Sequence, residues 1–309
     1  LEDCRTIQHE LGETEVCGQP ERIVVLGPYV LEYLLALDIQ PIGYADHVAF
    51  YQEDYTDPSQ QIPYLGDRIT PPLANVGTAS SPSLEAILKL QPDLIVGIND
   101  HNTNQYKILS EIAPTVLLDY FDPAASLRAI AQAANQPEQV EQLIDQRQQQ
   151  LALAQEDFAP LVATHPKVLL LSSSELQDVH LESPAGYCSS RLEKLGFQQV
   201  FPPGVDADSI ASVHISLETL PQLNDADSII LFGTNFTELQ QFTDSDNFED
   251  HQLSGLKQAW EENAIAQSLD ASKAGRVYFI PAYLCRGLPG AIGTKLYLEE
   301  LKEQLLPAN

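Results

Sequence analysis

Two Asp-His dipeptides, Asp46-His47 and Asp100-His101, are the residues of this sequence whose types best suit metal chemistry. Each follows an apolar run typical of a β-strand, and His180 is a third histidine that can join them. Imidazole and carboxylate groups are ligands for zinc and iron. The dipeptides lack the i,i+4 spacing of a helical metal site, and loop histidines are usually solvated. Direct capture of a metal ion is therefore an alternative interpretation.

Catalytic motifs are missing from the sequence. It contains no GxSxG elbow, no GxxxxGK[ST] phosphate loop, no HExxH helix and no GxGxxG after a strand. The serines of the run 172–174 are more easily a polar loop after a strand than a nucleophile site. We therefore expect a protein that is not an enzyme.

The charge of the chain restricts its partners. A net charge of −28, from 44 acidic and 16 basic residues, argues against nucleic acid, because binding phosphates needs clustered Lys and Arg. The chain has no Met, which suggests a mature chain whose leader has been removed. No apolar run approaches the length of about 20 residues that a spanning helix needs.

The four cysteines fall into two separated pairs, Cys4 with Cys17 and Cys188 with Cys285. Neither pair has the CxxC spacing of a zinc or redox site. Two structural disulfides in an oxidising compartment fit this pattern best. Four buried free thiols are the alternative.

One sequence pattern occurs twice, in 83–97 and in 216–233. Both copies read Ser-Leu-Glu, then a short amphipathic helix, an Asp, and an apolar run that ends at Gly. A helix that leads into a strand buried on both faces is typical of a parallel α/β sheet. The spacing of the copies, about one domain, predicts an α/β fold of two lobes with central parallel β-sheets flanked by helices.

A long helix is predicted between these lobes. Pro137 is followed by a Gln- and Leu-rich stretch without Gly, which suits a helix that begins at Pro. The predicted organisation is an N-terminal α/β lobe at 1–136, a connecting helix at 137–165 and a C-terminal α/β lobe at 166–309. A surface helix within one lobe is the alternative.

Ligands of open α/β sheets gather beyond the carboxyl ends of the strands. Polar side chains that follow predicted strands are therefore the candidate ligand contacts. They are Tyr29, Tyr44, Arg68 and Asn99 in the first lobe, and Tyr187, Arg191, Tyr283 and Arg286 in the second.

The order of these segments carries a family resemblance. The segments CRTIQHELGETEV, GPYVLEYLLALDIQPIGYAD, VGTASSPSLEAILKLQPDLIVG, IAPTVLLD, ISLETLPQL and AGRVYFIPAYLCRG resemble, in this order, the periplasmic binding proteins of iron–siderophore and cobalamin ABC importers. The N-terminal hairpin is most similar to the ferric-citrate and hydroxamate-siderophore branch, including cyanobacterial members. The likeness covers nearly the whole chain. It implies two lobes joined by a long helix, with the ligand in the cleft between them.

The resemblance also implies that Glu85 and Glu218 dock the protein on its permease. From the residues alone, Ser83 and Ser216 are predicted to be helix N-caps, and an early Glu favours the helix N-terminus. The two roles are compatible, because a carboxylate at a helix start is exposed and rigidly aimed.

One departure from the family pattern concerns the ligand. Members that bind acidic siderophores often carry an Arg just before the first Ser-Leu-Glu segment, where this chain has Thr78-Ala79. The resemblance makes Arg286 the best candidate contact, because related chains place an Arg at this position after the last strand. The planar fork of an Arg grips carboxylate or hydroxamate oxygens in two places. Arg68 and Arg191 are weaker candidates. The tyrosines can donate hydrogen bonds and stack on a chelate.

These observations predict an extracytoplasmic binding protein. It would capture a ferric siderophore of the citrate–hydroxamate type, or ferric citrate, and deliver it to an ABC permease for iron uptake. No cofactor is expected, and no side chain is expected to bind the metal directly, since the iron arrives as a chelate. A cobalamin ligand is a further alternative. We expect a monomer in the periplasm, with a lipid anchor as an option.

Overall fold

A computed structural model describes residues 3–48, 51–205, 213–236 and 247–307. The described residues form two compact units. Unit 1 comprises 3–48, 51–146, 247 and 288–292, and unit 2 comprises 147–205, 213–236, 248–287 and 293–307.

Unit 1 begins with a hairpin, and its further strands largely alternate with helices, as in an α/β lobe. Its strands are β1 (Cys4–His9), β2 (Gly12–Cys17), β3 (Ile23–Leu26), β4 (Gly43–Asp46), β5 (Ala74–Thr78), β6 (Ser81–Pro82), β7 (Leu94–Ile98) and β8 (Thr115–Leu118). Its α-helices are α1 (Pro28–Ala36), α2 (Pro58–Gln61), α3 (Leu84–Leu90), α4 (Asn99–Asn102), α5 (Tyr106–Ser110) and α6 (Pro123–Ala133). Short 3-10 turns lie at Gly66–Arg68, Thr103–Gln105 and Pro137–Gln139.

The main sheet of unit 1 has the strand order β6-β5-β4-β3-β7-β8. All its neighbours pair in parallel except β6, which is antiparallel to β5. The carboxyl ends of β3, β4, β7 and β8 therefore lie at one edge. Apolar side chains of Val24, Ile87 and Ile95 fill the core with 0% exposure, which matches the continuous apolar runs of buried parallel strands.

The hairpin of β1 and β2 precedes this sheet. Cys4 is opposite Cys17 in its antiparallel register, and the two sulphurs are bonded. Arg5 donates from its guanidinium to the carbonyls of Gln132 and Ala133, which ties the hairpin to α6. The predicted first disulfide is confirmed.

Helix α7 (Val140–Thr164) is the predicted long helix. The boundary between the units falls inside it, between Gln146 and Arg147, so both units share the helix. It continues past Pro160, which is exposed. A proline there removes one intrahelical donor, and on the solvent side water can satisfy the carbonyl that is left.

Unit 2 contains strands β9 (Lys167–Ser173), β10 (Val179–Leu181), β11 (Gln198–Gln199), β12 (Val213–Ile215), β13 (Ser228–Gly233) and β14 (Val277–Pro281). Its further helices are α8 (Tyr187–Lys194), α9 (Phe248–Glu262), α10 (Ala264–Ser268), α11 (Asp270–Lys273) and α12 (Ala291–Leu305), and α12 begins among the residues of unit 1. A 3-10 helix spans Leu217–Leu223, and a π-helical turn spans Tyr283–Gly287.

The sheet of unit 2 has the order β12-β10-β9-β13-β14, with β11 beside β9. Strands β9, β11, β13 and β14 are parallel, whereas β10 is antiparallel to both of its neighbours, β9 and β12. The sheet is therefore mixed rather than wholly parallel. Trp260 packs against the core with 2% exposure, and its indole N–H donates to Ser272 Oγ at 3.2 Å.

None of the helices within the described ranges has both the length and the apolar character needed to cross a bilayer.

Candidate ligand-binding site

Aromatic and imidazole rings gather at the carboxyl-end edge of the unit 1 sheet. Tyr29 follows β3, His47 follows β4, His101 lies in α4 after β7, and Tyr120 follows β8. The Tyr29 ring is stacked on His101 with centroids 5.9 Å apart, and it meets His47 and Tyr120 edge-on at 6.5 and 5.8 Å. The strand order therefore brings together groups that are far apart in the sequence. We call these four rings the unit 1 ring cluster.

The backbone at Gly27 positions Tyr29. Gly27 has φ +122°, and an added Cβ would lie 2.2 Å from the Tyr29 ring. Only glycine permits this approach, because it has no Cβ and adopts positive φ without steric cost. The turn from β3 into α1 thus folds Tyr29 over the strand end.

The hydroxyl of Tyr29 is buried and has no hydrogen-bond partner among the described residues. Burial raises the pKa of Tyr29 well above its ordinary value, and Tyr120, Asp46 and Asp100 raise it further. Tyr29 therefore keeps its proton and remains a donor. Because a buried donor without a partner is costly, a ligand oxygen is the natural partner for this hydroxyl.

The histidines of the unit 1 ring cluster are neutral near pH 7. Burial lowers the pKa of His47, and His101 lowers it further. Burial also lowers the pKa of His101, although Asp100 acts in the opposite direction. This edge of unit 1 thus offers neutral rings and hydroxyls beside the carboxylates of Asp46 and Asp100.

Asn102 forms hydrogen bonds at the same edge of the sheet. Sequence analysis did not identify this residue. Its amide nitrogen donates to the Ala79 carbonyl at 2.8 Å, and its oxygen accepts from the Ile98 N–H at 3.1 Å. The neighbouring Asn99, a predicted contact, has a buried side-chain oxygen without a partner among the described residues. Ala79 is 0% exposed at the place where acidic-siderophore binders of the family are expected to carry Arg.

Two predicted contacts of unit 1 lie elsewhere. Tyr44 is 0% exposed within β4, where its ring packs 5.8 Å from the ring of Tyr55, so it belongs to the core. The carbonyl of Arg68 accepts from Gln40 Nε2, and Gln40 precedes β4 at its amino end. The predicted position of Arg68 beyond the carboxyl ends is therefore wrong, because its loop returns to the opposite end of the strand.

In unit 2, a disulfide joins the two segments predicted to face a ligand. Cys188 in α8 is bonded to Cys285 in the π-helical turn, and both are 0% exposed. The second predicted disulfide is thus confirmed. Tyr187 and Tyr283 flank this bond with 9% and 2% exposure. Covalent closure fixes the two segments relative to each other, which lowers the cost of ordering them when a ligand binds.

Arg286 is held by a buried carboxylate. Its guanidinium donates from one terminal nitrogen to Oε1 of Glu182. The Glu182 side chain is 4% exposed, whereas that of Arg286 is 42% exposed. Glu182 comes just after β10, 104 residues before Arg286, and sequence analysis missed it because no local pattern links the two. The ion pair orients Arg286 while its outer part stays accessible.

Arg191 has a structural position. Its guanidinium carbon lies 5.6 Å from the ring centroids of both Tyr187 and Tyr297, and the residue is 1% exposed. The predicted ligand contact is thus a buried cation between two aromatic faces. Tyr297 completes the arrangement by donating to the Cys188 carbonyl at 3.0 Å.

The alternative of direct metal capture has partial geometric support. His47 and His101 approach each other, with ring centroids 5.5 Å apart, but His180 lies in unit 2, where it accompanies His214 and Asp178. Within the described ranges, only Cys4, Glu15 and Cys17 form a group of three donors that all lie within 4.8 Å of one another. Its two sulphurs are already bonded to each other, so this group is not a metal site.

The predicted docking residues are exposed on separate units. The Glu85 side chain is 80% exposed and forms an ion pair with Lys89, whose Nζ lies 2.7 Å from Oε1 of Glu85. The hydrogen bond from Lys89 lowers the pKa of Glu85. Glu218 is exposed in the first turn of its 3-10 helix. The docking role stays a prediction.

Known proteins resemble this chain over most of its length. A putative ABC transporter substrate-binding lipoprotein of Bacillus subtilis is 29% identical, covering 97% of this chain and 88% of its own. An Fe(3+)-citrate-binding protein of the same organism is 30% identical, covering 89% and 78%. The structure of Staphylococcus aureus SirA complexed with staphyloferrin B has the same fold, with a TM-score of 0.73, 23% identity and 97% coverage of both chains.

The family model for periplasmic binding proteins matches residues 23–284. That match spans both units, from β3 to the π-helical turn that carries Arg286. Its members bind and present substrates rather than transform them, in agreement with the expectation that this chain is not an enzyme. The chain belongs to the periplasmic binding protein family.

Proposed function

We propose that this protein captures a ferric siderophore outside the cytoplasm and delivers it to the permease of an ABC importer. The observation that carries the proposal is the set of donors at the strand ends. Unit 1 presents the Tyr29 hydroxyl without a partner, and unit 2 presents the partly exposed guanidinium of Arg286. Hydroxyl and guanidinium donors suit the oxygen-rich surface of a ferric chelate.

The relatives support this assignment. One binds Fe(3+)-citrate, and others are named for siderophores such as anguibactin and petrobactin. Relatives that are lipoproteins or periplasmic proteins favour a location outside the cytoplasm. The two disulfides fit the same compartment, because they persist in oxidising surroundings.

A titration with ferric schizokinen, a citrate-based dihydroxamate chelate, tests the ligand contact. Arg286→Lys should weaken binding by about tenfold, or about 1.4 kcal/mol, because lysine keeps a charge opposite Glu182 but loses the planar fork. Arg128→Lys is the matched control, since Arg128 forms an exposed pair with Glu141 at 2.9 Å. Equal affinity of Arg286→Lys and the wild type would remove Arg286 from the site.

Delivery is tested separately from capture. In proteoliposomes that contain the permease, Glu85→Ala combined with Glu218→Ala should lower ligand-stimulated ATP hydrolysis at least about tenfold, because paired charges steer and hold a docking interface. The affinity for the ferric chelate should not change. Glu141→Ala, at another exposed glutamate, is the control. Unchanged stimulation in the double variant would exclude the docking role.

A further inference from the structure

We propose that Phe121 is a further ligand contact of unit 1, and that the ligand is a ferric siderophore with hydrocarbon arms beside its iron-binding oxygens. The inference rests on the proposed function and narrows it to one class of chelate. Phe121 covers an apolar arm of the ligand, whereas the hydroxyl of Tyr29 meets a ligand oxygen.

Phe121 is an exposed extension of the unit 1 ring cluster. It is 61% exposed, and it is the one aromatic residue among the large exposed hydrophobic residues in the part of the chain that the structure describes. Its ring meets Tyr120 edge-on with centroids 5.1 Å apart, and Tyr120 meets Tyr29 at 5.8 Å. Isolated apolar side chains are common on protein surfaces. Phe121 is not isolated, because it continues the aromatic surface at the carboxyl-end edge of the sheet.

The turn after β8 holds the backbone of Phe121 in place. The Phe121 N–H donates to Oδ1 of Asp119 at 2.8 Å. The Asp119 carbonyl accepts from Ser126 Oγ at 2.6 Å and from the Asp122 N–H at 3.3 Å. Asp122 in turn caps α6, because its Oδ1 accepts from the Ala125 N–H at 2.9 Å. A residue held by so many local bonds costs little to order when a ligand binds.

This edge of unit 1 therefore combines a polar contact with an apolar one. The buried hydroxyl of Tyr29, without a partner among the described residues, suits an oxygen of the chelate. The phenyl ring of Phe121 forms no strong hydrogen bond, so it stabilises a complex only by removing apolar surface from water. A ligand that uses both contacts has oxygens around its iron and hydrocarbon next to them. Citrate–dihydroxamate chelates have methylene arms of this kind, whereas ferric citrate lacks them.

Titrations with ferric schizokinen and ferric citrate test the contact. Phe121→Ala should bind ferric schizokinen about tenfold more weakly than the wild type, a difference of about 1.4 kcal/mol, because the apolar contact is lost. Phe121→Leu keeps an apolar side chain and should lose no more than about threefold. Binding of ferric citrate should not respond to either substitution.

Leu88→Ala is the matched control for Phe121→Ala. Leu88 is 60% exposed and belongs to the same unit, but it lies in α3, which leads into the amino end of β7. Its replacement removes a similar exposed apolar side chain away from the carboxyl-end edge. The affinity of Leu88→Ala for ferric schizokinen should equal that of the wild type.

Phe121→Trp tests whether the ligand covers this position. The chain has a single Trp, Trp260, which is buried with 2% exposure, so acrylamide should quench mainly the introduced indole. The gallium(III) complex of schizokinen replaces the ferric complex, because gallium(III) has a filled d shell and does not itself quench the indole. Saturation with this complex should lower the acrylamide quenching constant several-fold.

Each outcome bears on one claim. Equal affinity of Phe121→Ala and Leu88→Ala for ferric schizokinen, or a quenching constant that the gallium complex leaves unchanged, overturns the inference and leaves the proposed function intact. The same holds if the wild type binds ferric citrate but not ferric schizokinen. A wild type that binds neither chelate overturns the proposed function itself.

Discussion

In the two Ser-Leu-Glu segments, 83–97 and 216–233, the Asp before the strand forms similar hydrogen bonds, whereas the helix before that Asp is of a different type. Asp93 accepts from the backbone N–H groups of Glu21 and Arg22, at 2.8 and 2.9 Å, just before β3 begins. Asp227 accepts from the N–H of Lys167, the first residue of β9, at 2.8 Å. In both units, the Asp N–H also donates back to the chain beside it, to Arg22 and to Lys167.

The helices of the two copies differ. Ser83 caps α3 through its Oγ, which accepts from the Ala86 N–H at 3.3 Å. Ser216 makes no such cap, and its segment is a 3-10 helix that contains Pro221. Proline lacks the N–H that an α-helix needs at that position. The repeated Asp therefore has a structural role at the strand entry in both units, whereas the helix type follows the local sequence.

The largest expected difference between the units is in the stability lost when their disulfides are removed. Cys4–Cys17 closes 13 residues and Cys188–Cys285 closes 97. On the chain-entropy model, replacing both cysteines by Ala should cost about 3 kcal/mol for the short loop and about 4.7 kcal/mol for the long one. Urea unfolding of the two double variants measures this. A larger loss for Cys4→Ala/Cys17→Ala would contradict the ranking.

Replacing the repeated Asp residues should give the next largest difference in stability between the units. Asp93→Ala removes the acceptor of two backbone donors and should cost about 3 kcal/mol, whereas Asp227→Ala removes one and should cost about 1.5 kcal/mol. Denaturant unfolding gives both values. Asp225→Ala is the control, because its exposed ion pair with Lys167 should contribute less than about 1 kcal/mol. If neither Asp variant is less stable than the control, the shared role is wrong.

The smallest difference is expected at the two serines. Ser83→Ala should destabilise the protein by about 1 kcal/mol, because the cap of α3 is lost. Ser216→Ala should have a smaller effect, since the Ser216 hydroxyl pairs with the Thr219 hydroxyl, at 3.2 Å, and does not cap the helix. The melting temperatures of the two variants measure this difference in stability. Equal shifts would mean that Ser216 caps its helix after all.

Most of the features that could be predicted from the sequence depend on residues close together in the chain. The hairpin, the strand–helix pattern of unit 1 and the long helix follow from periodicity and from the positions of Pro and Gly. Cysteine spacing favoured the two disulfides, with free thiols as the alternative. Tyr120 follows a strand just as Tyr29 does, so the same rule was able to find it.

The misplaced residues depend on tertiary packing. Arg191 is on a predicted helix, but the sequence does not reveal that its inner face meets Tyr297. Tyr44 is in a strand whose two faces are both covered, so alternation cannot tell core from ligand face. Glu182 is paired with Arg286, and no local signal joins residues that are 104 positions apart.

Native mass spectrometry of the intact protein tests whether the ligand is a whole ferric siderophore. The protein is mixed with ferric schizokinen, ferric aerobactin, ferric citrate, cobalamin and the bare ions Fe³⁺ and Zn²⁺. The account predicts a one-to-one adduct whose added mass is that of the whole ferric schizokinen complex, weakened in Arg286→Lys but not in Arg128→Lys. A stoichiometric adduct of a bare ion, lost in His47→Ala or His101→Ala, would contradict it and establish direct metal capture.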